Sequence, residues 1–209
     1  KDVASKAPYQ SPATAVDLSG KAVLEVGSGR GGGADYVARC LGPAAMTGVD
    51  FSAEAIAFCK KTHRTENLSF LEGDAESLPF DTNVFDVVLN VESSHCYGSM
   101  DAFCREVFRV LKPGGFFSWA DLREAEQAKQ LEGLFEAAGF DIESQADITP
   151  RVLHALDLFT ETKEEAINKM VPRLLRSAFS DFAAIKDSTV YNRFKDRDWV
   201  YSKFLLRKP

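Results

Sequence analysis

The chain has 209 residues, a net charge of −6 and a hydrophobic fraction of 45%, which suits one domain with a well-supplied core. This acidic balance, with no dense run of lysine or arginine, argues against nucleic acid or an anionic membrane as the principal partner. No apolar run approaches the roughly 20 residues of a membrane span and no signal peptide is visible, so we expect a cytoplasmic protein without stable membrane insertion.

The predicted elements alternate between strands and helices after a lead-in at residues 1–20. We predict strands at 22–26, 46–49, 68–72, 85–91, 116–121, 141–146 and 199–206. Helices are expected at 33–41, 53–62, 99–111 and 124–138. Continuous apolar strands that alternate with amphipathic helices are typical of an α/β fold with a parallel sheet.

The segment 150–190 interrupts this alternation. Apolar residues at helical spacing predict two amphipathic stretches there, with a kink or restart at Pro172. Within a single domain, we expect this helical insertion before the last strand to line a substrate pocket.

A glycine-rich turn at 27–33 follows the first apolar strand directly. Glycine allows a sharp bend and close approach of a ligand to the backbone, and the next helix presents its N-terminal N–H groups there. The turn therefore predicts a nucleotide-type site. Because Gly27, Gly29 and Gly32 also match the G-x-G-x-x-G of dinucleotide-binding folds, a nicotinamide oxidoreductase stays open.

Acidic and amide side chains follow the predicted strands at the edge where doubly wound sheets bind ligands. Asp50 ends the second strand, placed to accept hydrogen bonds from both hydroxyls of a ribose. Asp74 follows the third strand and can accept a hydrogen bond from the exocyclic amine of a purine. Asn90 and Glu92 close the fourth strand, below the reacting end of such a ligand.

Several motifs in fixed order extend this pattern: Gly73-Asp74-Ala75, Leu78-Pro79-Phe80, Phe85-Asp86-Val87-Val88 and Leu111-Lys112-Pro113-Gly114-Gly115. The series resembles the class I S-adenosylmethionine-dependent methyltransferases. The resemblance implies S-adenosylmethionine as cofactor and a Rossmann-like seven-stranded sheet of order 3-2-1-4-5-7-6, with the seventh strand antiparallel. It also implies a set of cofactor contacts: Glu25, Gly27, Ser28, Gly29, Asp50, Phe51, Asp74, Ala75 and Asn90.

Three longer stretches, at 24–33, 90–97 and 119–123, resemble the phthiotriolone and phenolphthiotriolone dimycocerosate O-methyltransferases, although Ser28 replaces that family's cysteine. This likeness implies methyl transfer to a hydroxyl of a lipophilic polyketide, lipid or other secondary metabolite. The alternatives are carbon or nitrogen methylation by proximity, and a non-catalytic S-adenosylmethionine-binding module.

His95 lies just past the fourth strand and Asp121 ends the fifth. A carboxylate beside an imidazole orients the ring and favours its charged form after proton uptake. By likeness to natural-product O-methyltransferases, His95 is implied as the base and Asp121 as its partner. Glu92 competes for the base role, and a loop histidine without a catalytic role is the alternative for His95.

The remaining candidates have weaker signals. His63 reads as part of a solvated helix end, and His154 as a packing or surface residue of the insertion. The four cysteines have no metal-ligand spacing and are expected as reduced thiols, and no carboxylate cluster predicts a metal. The fourth strand lacks the Asn/Asp-Pro-Pro-aromatic run of base-nitrogen methylases. The oligomeric state stays open, a homo-oligomer included.

Overall fold

The computed structural model describes residues 15–209, so most of the predicted lead-in lies outside the described residues. The chain divides into two compact units. One contains the described residues up to Asp121 together with Gln130–Gln145 and Lys203–Pro209, and the other contains Leu122–Lys129 and Ala146–Ser202.

Seven strands form one sheet. They are β1 (Ala22–Val26), β2 (Ala45–Asp50), β3 (Leu68–Glu72), β4 (Phe85–Val91), β5 (Leu111–Glu124), β6 (Asp141–Asp147) and β7 (Trp199–Arg207). Their order is β3-β2-β1-β4-β5-β7-β6, so the predicted order is confirmed. The pairings β3–β2, β2–β1, β1–β4 and β4–β5 are parallel, and the antiparallel direction of the seventh strand stays a prediction.

The helices of the first unit are α1 (Gly32–Cys40), α2 (Ala53–Thr62), α3 (Met100–Val110) and α5 (Leu131–Ala137). Ser52 and Ser99 cap α2 and α3, since each hydroxyl accepts a hydrogen bond from a backbone N–H three residues on. One apolar cluster links α1 and α2 to the central strands through Val23, Val37, Met46, Ile56, Phe70 and Val87. This packing fixes the carboxyl ends of β1 to β4, where the polar candidates lie.

Two predicted elements differ from the structure. The helix predicted at 124–138 is wrong as one element, because it is divided into α4 (Ala125–Ala128) and α5. Only α5 has an apolar face to bury, through Leu131 and Phe135. The fifth strand begins at Leu111 instead of 116, because the stretch 112–115 is extended and pairs through its backbone with Lys208.

The second unit contains α6 (Thr149–Met170), a short 3-10 turn (Arg173–Leu175), α7 (Arg176–Phe182) and α8 (Thr189–Lys195). Helix α6 ends at Met170 and a new turn begins after Pro172, as predicted. The role of this insertion in a substrate pocket stays a prediction. None of the helices within residues 15–209 is long and apolar enough to span a bilayer.

Candidate active site

A cleft of about 580 Å³ lies at the carboxyl ends of β1, β2, β3 and β4. Its walls come from the four loops that follow these strands, as expected for parallel strands that end at one edge of a sheet. Six of the nine predicted cofactor residues line the cleft: Gly27, Gly29, Asp50, Phe51, Asp74 and Ala75.

The glycine turn forms the floor of this cleft. Gly27 has φ +75°, and a Cβ there would lie 2.3 Å from Ser93 Oγ, so no larger residue fits without a shift. Gly29 has φ +51°, and nothing lies within 4 Å of where its Cβ would be. The backbone at Gly29 is therefore open to a ligand.

Asp50 is held rigidly beside this turn. Its Oδ2 accepts a hydrogen bond of 2.7 Å from the Gly29 N–H, and its Oδ1 accepts one of 2.9 Å from the Ser52 N–H. Each carboxylate oxygen has capacity for a second donor, so the fixed carboxylate fits two vicinal hydroxyls of a ribose.

Asp74 and Ala75 form the neighbouring wall, on the loop after β3. Asp74 Oδ1 accepts a hydrogen bond of 2.9 Å from the Glu76 N–H, which tightens this loop. Phe51, which follows Asp50, has a side chain that is 78% exposed at the rim. An acceptor, an apolar wall and an exposed aromatic ring suit a purine base. These residues therefore fit an adenosine-bearing cofactor.

The other three predicted cofactor residues, Glu25, Ser28 and Asn90, are buried and do not line the cleft. Asn90 is fully buried, and its Nδ2 lies 2.9 Å from Val26 O and 2.8 Å from Ser93 Oγ. Asn90 therefore ties the end of β1 to the loop after β4 and supports the floor of the cleft.

Tyr97 lines the cleft and belongs to the same hydrogen-bond network. Its hydroxyl lies 3.0 Å from Ser93 Oγ and 3.1 Å from Asn90 Nδ2. Burial raises the pKa of the Tyr97 phenol well above its ordinary value, and the nearby Asp121 and Asp50 raise it further. Tyr97 therefore keeps its proton at neutral pH.

Glu76 joins two walls of the cleft and was not singled out from the sequence. Its Oε1 accepts hydrogen bonds of 2.7 Å from the Gly98 N–H and 2.9 Å from the Ser99 N–H. The loop after β3 is thereby attached to the loop that carries His95. The only signal in the sequence is that Glu76 lies two residues after Asp74.

His95 and Asp121 lie together, and neither lines the cleft, although Cys96, the neighbour of His95 in the chain, does. His95 Nδ1 is 2.8 Å from Asp121 Oδ1, and the side chain of Asp121 is fully buried. Asp121 Oδ2 accepts two further hydrogen bonds, from the His95 N–H at 2.9 Å and from the Ser94 hydroxyl at 2.7 Å. The Trp119 indole N–H donates to Ser94 Oγ at 2.8 Å, so a chain of contacts orients the carboxylate.

This arrangement defines the tautomer of the imidazole. A carboxylate only accepts hydrogen bonds, so the Nδ1 of His95 carries the proton and Nε2 keeps its lone pair. The His95 side chain is 33% exposed. The pair can therefore take up a proton at Nε2.

The other candidates occupy distinct positions. Glu92 lines the cleft and has a left-handed backbone with φ +51°, a conformation that a non-glycine residue adopts at some energetic cost. His63 follows the last residue of helix α2, as predicted, but it is less solvated than expected. Its side chain is only 14% exposed, and its Nε2 lies 2.9 Å from the Arg30 carbonyl of the glycine turn. His154 is exposed.

The four cysteines form no disulfide bond. Within the part of the chain that the structure describes, no group of three or more His, Cys, Asp or Glu side chains could hold a metal ion.

Comparison with known proteins identifies relatives of this chain. A family model described as "Methyltransferase domain" matches residues 24–119. The phthiotriol/phenolphthiotriol dimycocerosates methyltransferase of Mycobacterium tuberculosis is 40% identical over 200 residues, covering 96% of this chain and 74% of that protein. A Mycobacterium ulcerans relative with that activity in its name is 46% identical, and the match covers 81% of this chain but only 66% of the relative.

One more relative and one solved structure extend the comparison. The fatty-acid O-methyltransferase of Mycolicibacterium smegmatis is 37% identical, over 96% of this chain and 73% of that protein. The crystal structure of the [4+2]-cyclase SpnF is 28% identical with a TM-score of 0.75, over 96% of this chain and 79% of SpnF.

Proposed function

The chain belongs to the S-adenosylmethionine-dependent methyltransferase family, and from this membership we propose that it methylates a hydroxyl of a lipophilic small molecule. Two relatives are named for lipid-related acceptors, and one of them for an O-methylation. We place the reaction in the cytoplasm. The net negative charge of the chain does not favour nucleic acid as the acceptor.

In this proposal, each group of residues in the cleft holds one part of the cofactor. Gly27, Gly29 and Asp50 would hold the methionine and ribose parts of the cofactor, with Asp74 and Ala75 at the adenine. S-adenosylmethionine supplies an electrophilic methyl group on its sulfonium. The rigid carboxylate of Asp50 and the open backbone at Gly29 align the cofactor before the acceptor binds, which favours in-line transfer.

The observation that carries hydroxyl methylation is the 2.8 Å contact between His95 Nδ1 and the buried Asp121 carboxylate. A hydroxyl is a weak nucleophile until its proton is removed, whereas an amine or an enolate carbon needs no such base. His95 Nε2 accepts this proton in our mechanism, and Asp121 stabilises the resulting imidazolium. Burial of Asp121 strengthens this charge interaction.

The test has two stages. Calorimetry with S-adenosylhomocysteine and then with NAD measures which cofactor binds, and we expect only the first to bind. Methyl transfer is then measured against hydroxylated polyketides, sterols and other hydroxylated lipids, each paired with an analogue in which the hydroxyl is already methylated. Transfer to the parent compounds alone supports the proposal, whereas equal transfer to both members of a pair contradicts it.

A second candidate is a reaction without methyl transfer. SpnF, which is named a [4+2]-cyclase, has the same fold over 96% of this chain. A protein that binds S-adenosylhomocysteine but methylates none of these acceptors would favour this candidate.

A further inference from the structure

The second unit contains a surface segment, residues 168–182, in which large apolar side chains are exposed. Leu174 is 97% exposed, Phe182 is 89% and Met170 is 74% exposed. Leu175 and Phe179 are about half exposed. Five exposed large apolar side chains within thirteen residues are uncommon on a protein that contacts only water, and they indicate a binding surface.

Basic residues are interspersed among these apolar side chains. Lys169 and Arg173 are exposed. Arg176 donates hydrogen bonds to the carbonyls of Val171 and Asn168, at 3.1 and 2.8 Å, and so braces the turn between α6 and α7. The one acidic residue of the segment, Asp181, accepts a hydrogen bond of 2.8 Å from the Thr189 N–H. With three basic residues and one acidic residue, the segment itself has a net charge of +2, and the exposed Glu164 and Glu165 precede it on α6.

The combination of exposed leucine and phenylalanine with flanking lysine and arginine is typical of a segment that lies in a membrane interface. The apolar side chains enter the boundary of the acyl chains, while the basic residues contact anionic headgroups. The net charge of −6 argues against an anionic membrane for the chain as a whole. However, charges separated by more than about 10 Å are largely screened at 0.1 M salt. The charge of the segment itself therefore governs its attraction to a membrane surface.

We propose that residues 168–182 dock this protein on the surface of a bilayer with anionic headgroups. The role of this docking rests on the proposed function, since it would bring the protein to a lipophilic acceptor that is dissolved in the bilayer. Binding through an interfacial segment of this kind is reversible and depends on salt.

Vesicle flotation of the full chain tests the proposal, with phosphatidylcholine vesicles that contain or lack phosphatidylglycerol. We expect binding to the anionic vesicles only, and release at high salt. Leu174→Ser with Phe182→Ser should weaken binding at least about tenfold, because two large apolar side chains no longer insert. Arg173→Glu should weaken it by more than about fivefold, which corresponds to the loss of one basic contact plus a repulsion.

Two controls are matched to these variants. Leu158→Ser removes an exposed leucine of the same unit outside the segment, and Arg151→Glu reverses an exposed charge on α6. Both should bind as the parent does. All variants should keep the helical circular-dichroism signal and the thermal unfolding profile of the parent, which shows that the second unit folds.

Two results with vesicles would overturn the proposal: no binding to anionic vesicles, or binding that the segment variants leave unchanged. A third would be that the protein self-associates instead of binding vesicles, and that Leu174→Ser with Phe182→Ser abolishes the self-association. Flotation measures no methyl transfer. A protein that binds vesicles but methylates no lipid therefore contradicts the proposed function alone.

Discussion

The imidazole of His95 and the carboxylate of Asp121 meet at 2.8 Å although 26 residues separate them in the chain. Their strands explain this contact. In the parallel pairing of β4 with β5, Val91 lies beside Ala120, so Asp121, which is still within β5, lies beside the point where the chain leaves β4. The Glu92 N–H also donates to the Ala120 carbonyl at 2.9 Å, which extends the pairing beyond the strand.

Replacing His95 tests the base directly. We expect His95→Ala to lower kcat by ~10²–10⁴-fold, the usual contribution of a general base. Asp121→Asn should cause a smaller loss, because the imidazole remains but loses its charged partner. Affinity for S-adenosylhomocysteine should hardly change in either variant, as measured by calorimetry. His154→Ala, at an exposed histidine of the second unit, is the control, and full activity in His95→Ala would refute the assignment.

The same pair predicts how activity depends on pH. A base must be unprotonated to accept a proton, and the adjacent Asp121 favours the protonated imidazole. Activity should therefore fall as the pH decreases and His95 becomes protonated, with a single-proton slope in kcat/KM. The residual activity of His95→Ala should lack this acidic limb. An unchanged pH profile in that variant would instead assign the limb to another group, such as Glu92.

Asp50 should control cofactor affinity. Asp50→Ala removes the acceptor for the ribose hydroxyls and the support of the Gly29 backbone, so binding of S-adenosylhomocysteine should weaken by about 1–3 kcal/mol. Glu72→Ala is a suitable control, because it removes an exposed acidic residue at the end of the neighbouring strand β3. Calorimetry on both variants checks the difference, and equal affinities would exclude Asp50 from the cofactor site.

Two glycines of the turn should tolerate substitution very differently. Gly27→Ala places a Cβ 2.3 Å from Ser93 Oγ at φ +75°, so it should disrupt the floor of the cleft and greatly weaken cofactor binding. Gly32→Ala places a Cβ in open space on helix α1, where alanine stabilises a helix relative to glycine. Thermal unfolding should show a lower Tm than that of the parent for Gly27→Ala but not for Gly32→Ala. Similar Tm values for the two variants would contradict the predicted clash.

Asp86 should contribute stability that is lost in acid. Burial raises the pKa of its carboxyl, but hydrogen bonds from Lys112 Nζ and the Ala22 N–H, both 2.8 Å, outweigh burial and lower the pKa below its ordinary value. Its contribution is therefore fully present above pH ~4 and is lost as the pH falls below that value. Asp86→Asn should cost about 1 kcal/mol at pH 7 and less at pH 3, as measured by urea unfolding. An equal cost at both pH values would contradict this.

The sequence was most informative where a feature depends on neighbouring residues. The glycine turn and Asp50 at the end of β2 are local patterns, and their positions could be read directly. The prediction of one helix at 124–138 was wrong because amphipathic spacing does not show where the apolar face ends. The contact of His63 with the Arg30 carbonyl was missed because this carbonyl belongs to a turn 33 residues earlier.

The amino-acid sequence by itself determined the fold class, the strand order implied by the family resemblance, and the residue types at the end of each strand. Only the tertiary structure decided how those residues combine. The bonds from Glu76 to the Gly98 and Ser99 N–H groups, and the chain from Trp119 through Ser94 to Asp121, depend on strand register and side-chain rotamers. Such contacts join residues distant in the chain, and no local spacing encodes them, because they form only when the packed core fixes both partners within hydrogen-bond distance.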